Sequence, residues 1–161
     1  MILAIDPSIN SCGTAVFNED DKKLVFYKLI KSVDTSDSKD VFGYASKAKQ
    51  IVLQLQHLVI NKYSINKIIL EVPEYWRIEG FAARESGSIS KLTFICGMIY
   101  NINDDIEYTL YVPRMWKKQL PKEVVNNRLR KVYTNIDIAH TDHNVVDAIG
   151  IGHYYLHGNV G

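Results

Sequence analysis

The chain opens on an uninterrupted apolar run, residues 1–5, that stops at Asp6-Pro7-Ser8. A strand covered on both faces reads this way when it ends at a turn. Two further β-rich runs follow, Gly13 to Phe17 and Leu24 to Ile30, around the polar turn Asn18-Glu19-Asp20-Asp21. Three strands with short connections predict an antiparallel meander. The period then changes. Val41, Ala45, Ala48, Val52, Leu55 and Val59 recur every three or four residues, and Ile51 and Leu58 widen the stripe. This spacing predicts a long amphipathic helix, started by the polar stretch Ser36 to Asp40. Ile68 to Val72 reads as a fourth strand stopped by Pro73, and Tyr108 to Val112 as a fifth stopped by Pro113. Between them lie an aperiodic segment, 73–87, predicted as an exposed mobile loop, and a helix marked by Ile89, Leu92, Ile95, Cys96 and Ile99. A short basic helix over Val124 to Tyr133 and a last helix from about Asp142 to His157 complete the chain.

The order βββ-α-β-α-β-α-α predicts an α/β protein. Each strand–helix–strand passage implies parallel pairing beside the meander. The 161 residues suit one domain, 1–161, with a sizeable core. Hydrophobic residues make up 47% and charged residues 23%, as in a soluble globular protein. Neither a signal peptide nor a membrane span is read. Cys12 and Cys96 stand in apolar surroundings and read as buried free thiols in a reducing, intracellular setting.

Three acids break the apolar pattern. Asp6 closes the first strand, Glu71 interrupts the fourth, and Asp147 lies inside Val145-Val146-Asp147-Ala148-Ile149. A strand-end acid reaching solvent, or a cap, explains any one of them. The three together favour a metal site, because a carboxylate beside a core is costly unless paired or metal-bound. An all-oxygen set suits Mg²⁺ or Mn²⁺, and two such ions serve phosphodiester hydrolysis. His143 and Asn144 lie four and three residues before Asp147, on its helix face. His143 is a ligand, a proton carrier or a water-facing first-turn residue. Asp142 reads as an acid favourable at a helix start. His153 and His157 read as a surface stripe. No Walker-type phosphate loop is present.

The stretches ILAIDPSINSCGTAVF (2–17), IILEVP (68–73), KLTFICGMI (91–99), VPRMWKKQLPKEV (112–124) and DHNVVDAIGIGHYYL (142–156) resemble the RuvC family of Holliday junction resolvases, within the RNase H-like superfamily. The compact loops are similar to its phage-encoded branch. The resemblance implies an RNase H-like fold, a five-stranded mixed sheet flanked by helices. It implies a homodimeric endonuclease that nicks four-way junctions, and by extension forks and flaps, in a bacterial cytoplasm. Mg²⁺, replaceable by Mn²⁺, is the implied cofactor, two ions per site. Asp6, Glu71 and Asp147 match the family's acids. Asn144 stands where the family has a fourth carboxylate, which is a departure, and His143 is the candidate proton carrier. Two other readings stand beside this one: a junction-binding protein with little cleavage, and a nuclease of RNA–DNA hybrid.

The net charge is only +1, with 19 basic and 18 acidic residues, which by itself argues against a nucleic-acid partner. Its distribution argues the other way. Between Pro113 and Tyr133 seven basic residues face Glu123 alone, a net of +6, and the remainder of the chain carries −5. Arg114, Lys117, Lys118 and Lys122 are the candidate phosphate contacts, Lys117 and Lys122 by match to the family's DNA-backbone lysines. Arg128 and Lys131 read equally as a solvated helix face. Tyr75, Trp76, Arg77 and Arg84, with Phe81, suit stacking on unpaired bases and phosphate contact. Trp76 packing on the domain's own surface is the alternative. Leu92, Ile95 and Ile99, with Gly97, are expected at a dimer interface by resemblance, and an ordinary core helix is the other reading.

Overall fold

The computed structural model describes residues 1–33, 41–74 and 87–160. Five strands, β1 (Ile2–Asp6), β2 (Ser11–Phe17), β3 (Leu24–Lys31), β4 (Lys67–Glu71) and β5 (Glu107–Tyr111), form one sheet in the order β3-β2-β1-β4-β5. The meander pairs are antiparallel, and β1–β4 and β4–β5 are parallel. This is the predicted mixed sheet. β4 and β5 each begin one residue earlier than the apolar pattern places them.

Both faces of the sheet are covered, so β1 is buried throughout its apolar run. Period-2 alternation sorts the residues. Leu3, Ile5, Cys12, Val16, Ile68 and Leu70 face α1 (Val41–Leu55) and the helix Ser88–Tyr100. α1 runs on through a π-helical turn, Gln56–Ile60, into α2 (Asn61–Tyr63), and the chain then turns at Ser64 with φ 49°. The helix Ser88–Tyr100 is therefore α3. Ile2, Ala4, Ala15, Phe17 and Ile69 face the other layer, built from α4 (Pro113–Trp116), α5 (Lys122–Val132) and α6 (His143–His157). α4 is absent from the periodicity reading because a single turn is too short to show a period. Both cysteines are buried free thiols as expected, and burial pushes each up to about 12. Among the described residues no helix is long and apolar enough to cross a membrane.

Two sequence expectations change here. Ile95 and Ile99 are fully buried in the core beneath α3, so these two offer no surface to a second copy, and Leu92 is partly buried against that core. The exposed strip of α3 is instead Thr93, Phe94, Gly97 and Tyr100. His153 is buried rather than part of a surface stripe. Its Nδ1 lies 3.0 Å from the Tyr133 hydroxyl and its ring stacks on His157 at 4.3 Å. An α6 residue four positions from the end still faces the sheet, because the helix lies on the sheet along its length.

α6 approaches the sheet backbone to backbone. A Cβ placed on Gly13 of β2 would lie 1.9 Å from the carbonyl oxygen of Asn144. The strand cannot yield, being paired on both sides, so Gly13→Ala is expected to destabilise by about 1–3 kcal/mol or more. Urea unfolding measures this, and a midpoint unchanged from wild type would contradict the close approach.

Candidate active site

The sheet register positions the first two acids. β1 and β4 run parallel with Ile5 beside Leu70, so the next residues, Asp6 and Glu71, end the two strands side by side. Alternation sends both toward the α6 layer, since Ala4 and Ile69, two residues earlier, pack there. Asp6 also pairs across β1–β2 with Gly13, the point where α6 touches down. Asp147, one turn into α6, is thereby brought to the same end of the sheet.

The start of α6 is fixed by two side chains. Asp142 is its N-cap and accepts from the Asn144 backbone N–H at 2.9 Å, a more specific role than the first-turn acid expected. Asn144 is buried, and its Nδ2 donates to the Ser11 hydroxyl at 3.1 Å and to the Ser11 carbonyl at 3.4 Å. It ties α6 to the first residue of β2, and Oδ1 is the amide atom that those bonds leave over. His143 is exposed at the helix start with its Nδ1 3.8 Å from Asp142 Oδ1.

The segment after β5 supplies partners to two of the acids. Trp116 is fully buried against Gly150 of α6, where an added Cβ would fall 2.6 Å from the indole. Its Nε1–H donates to Glu71 Oε2 at 2.5 Å. Lys117 follows, with Nζ 3.3 Å from Asp147 Oδ2. Trp116 is the site residue that the periodicity reading missed. The available signal was the tryptophan itself, whose indole N–H is a donor that needs a partner once buried. Lys118 adopts a left-handed φ of 54° and is exposed, as is Lys122 at the start of α5. Arg114 is engaged by Glu74 at 2.9 Å. Tyr75, Trp76, Arg77, Phe81 and Arg84 lie outside the described residues.

Burial and proximity make the carboxylates reluctant to ionise together. Asp6 is pushed up to about 8, first by burial and then by the charges of Glu71 and Asp147, against the opposing pull of Lys117 and Lys122. Burial also raises Glu71, opposed by Lys117 and by the Trp116 hydrogen bond. These are carboxylates short of positive charge. Among the described residues no three His, Cys, Asp or Glu side chains close into a ready-made ion-binding group, and Glu71 and Asp147 are each held by a neighbour from 116–117. The donor chemistry still fits a hard divalent cation: three carboxylates at one end of the sheet, of which Asp6 and Glu71 are desolvated.

No family model matches the chain, and no curated protein matches its sequence. Solved structures do. T. thermophilus RuvC in complex with a Holliday junction substrate superposes with a TM-score of 0.61 at 15% identity, over 98% of this chain and 93% of that one. The fowlpox virus resolvase bound to Holliday junction DNA gives 0.56 at 14% identity, over 98% and 99%. The yeast mitochondrial Holliday junction resolvase Ydc2 gives 0.54 at 15%, over 96% and 78%. The five-stranded mixed sheet flanked by helices is thus the RNase H-like fold of RuvC and these resolvases.

The raised pKa of Asp6 has a consequence for stability. Between the ordinary carboxylate range and about pH 8 the folded chain keeps a proton that the unfolded chain has lost. Stability contributed by that proton is therefore present at low pH and declines as pH rises across the window, at up to ~1.4 kcal/mol per pH unit. Asp6→Asn removes the effect. In EDTA it is expected to raise Tm by an amount that grows from pH 5 to pH 8, reaching several degrees. A difference independent of pH, followed by circular dichroism, would show that Asp6 ionises freely.

Proposed function

We propose that this protein is a structure-specific endodeoxyribonuclease that nicks Holliday junctions and other branched DNA by divalent-metal-dependent hydrolysis of a phosphodiester. The observation that carries the reading is the delivery of Asp6, Glu71 and Asp147 to one end of the sheet by three different elements, with Lys117 and Lys122 close enough to offset their charge. The likeness in fold to proteins solved with Holliday junction DNA supports the substrate class.

In this reading Asp6, Glu71 and Asp147 hold Mg²⁺ or Mn²⁺, with the Asn144 amide oxygen as the neutral fourth donor. The metal would supply Lewis acidity at the phosphate and lower the pKa of an attacking water. The chain's own residues orient and exclude. Trp116 fixes the Glu71 carboxylate and shields its inner side from water. Lys117, Lys118 and Lys122 meet the DNA backbone, and the aromatic and arginine residues between 75 and 84 contact unpaired bases. A second copy docks on the exposed strip of α3, so that two sites face a roughly two-fold junction.

One observation favours a second reading, a junction-binding protein that cleaves weakly. Asn144 is neutral, and both hydrogens of its amide group are directed to Ser11. The site therefore has one negative charge fewer than a four-carboxylate set, which weakens the hold on a second ion.

Labelled four-way junction, linear duplex and RNA–DNA hybrid, each with Mg²⁺, Mn²⁺ or EDTA, separate these readings. Paired nicks in the junction alone, dependent on metal, are expected. Asp6→Asn, Glu71→Gln and Asp147→Asn should each lower nicking by about two orders of magnitude or more, ~2.7 kcal/mol of barrier, while retaining junction binding. Asn144→Asp should raise nicking or lower the metal concentration required. A gel shift without nicks under every metal condition favours the binding protein, and preference for hybrid favours the other nuclease.

A further inference from the structure

Lys117 is the one cation among the described residues that the structure pairs directly with a member of the acid cluster. Its Nζ lies 3.3 Å from Asp147 Oδ2, and its charge also pulls down Asp6 and Glu71. It therefore acts on all three carboxylates at once, which is what a bound divalent ion would do. Its neighbour behaves differently. Trp116 is fully buried, wedged on Gly150, and bonded to Glu71. The Lys117 side chain is 28% exposed, and its ammonium lies over the Trp116 ring at 4.8 Å. Trp116 is a fixed anchor, whereas Lys117 is a flexible four-carbon arm reaching over it. Its backbone is held at the base, where its N–H donates to the Pro113 carbonyl at 3.0 Å. The arm can swing without the anchor moving.

An ammonium and a divalent cation on the same carboxylates repel each other, and Asp147 Oδ2 cannot give its full charge to both. We propose that Lys117 is the resident counter-ion of the metal-free site, competing with the divalent cation for Asp147 and displaced when that cation binds, so that its ammonium becomes available to a DNA phosphate. This rests on the metal-dependent reading of the site. It accounts for a buried acid cluster that does not close into a ligand set while two of its members are held by 116–117. It also couples metal loading to backbone binding through one side chain, as linkage requires when two cations share a carboxylate. Lys122 contributes to the same field from an exposed position, with no ion pair to the cluster among the described contacts.

The test is Mn²⁺ binding without DNA, followed by electron paramagnetic resonance at fixed ionic strength, with folding checked by circular dichroism. Lys117→Met should bind Mn²⁺ more tightly than wild type, by about tenfold. Lys49→Met, an exposed lysine of α1, should match wild type. Affinity for a junction should fall in Lys117→Met and not in Lys49→Met. Equal or weaker Mn²⁺ binding by folded Lys117→Met overturns the proposal. So does an equal gain in Lys49→Met, which would make the effect one of net charge. An independent measurement uses the wild-type chain: the ¹⁵N resonance of the Lys117 ammonium should shift on addition of Mg²⁺, and a resonance that Mg²⁺ leaves in place overturns the proposal as well. Wild type that binds no Mn²⁺, with Asp6→Asn indistinguishable from it, would instead overturn the metal-dependent reading on which this one stands.

Discussion

Asp6, Glu71 and Asp147 are three carboxyl groups brought to a place where water is scarce and where they oppose one another's ionisation, and the surrounding structure is arranged around that conflict. Asp6 holds its proton to about pH 8 because burial, Glu71 and Asp147 all oppose its ionisation. Such a cluster has to be imposed by stronger constraints elsewhere. Here those constraints are the parallel register that sets Asp6 beside Glu71 and the apolar layers on both faces of β1. A slip of one residue in β1 would exchange its two faces and turn Asp6 from the α6 layer to the α1–α3 layer.

The third acid depends on how closely α6 can lie on β2. Gly13 permits backbone contact with Asn144, and Asn144 in turn bonds Ser11. Gly150 makes room for Trp116, which reaches past α6 to Glu71. Missing side chains at two positions thus matter as much as the carboxylates. The segment 116–117 then neutralises what the fold has gathered, one acid by an indole donor and one by an ammonium. The basic excess between 113 and 133 is therefore not spread evenly. Lys117 is turned inward to Asp147, Arg114 is engaged by Glu74, and Lys118 and Lys122 are exposed. Near-neutral net charge is compatible on these terms with a locally basic surface.

The likeness to junction resolvases is one of architecture, at about 15% identity over nearly the whole chain. Within that architecture this chain places a neutral residue at 144 and an indole that grips the glutamate. The outer strip of α3, where Phe94 and Tyr100 are exposed, differs from the residues that periodicity alone selects. An apolar stripe marks the face of a helix that is buried, and the stripe does not say whether the partner is the chain's own sheet or another molecule. On α3 the stripe of Ile95 and Ile99 belongs to the sheet.

Local sequence determined the elements and the site's acids. Alternation and three-to-four spacing are properties of short windows, so the five strands, the long helices and the strand–helix–strand crossovers were all readable there. So were Asp6, Glu71 and Asp147, because a charge inside an apolar run stands out without knowledge of its neighbours. The tertiary structure alone decided which groups answer those charges. Trp116 to Glu71 and Lys117 to Asp147 span 45 and 30 residues, and no local pattern encodes a partner at that distance. The same holds for the buried His153 and for Gly13, whose missing side chain has meaning only where α6 lies against the strand. Periodicity reports which face of an element is covered. What covers it is settled only when the elements are packed.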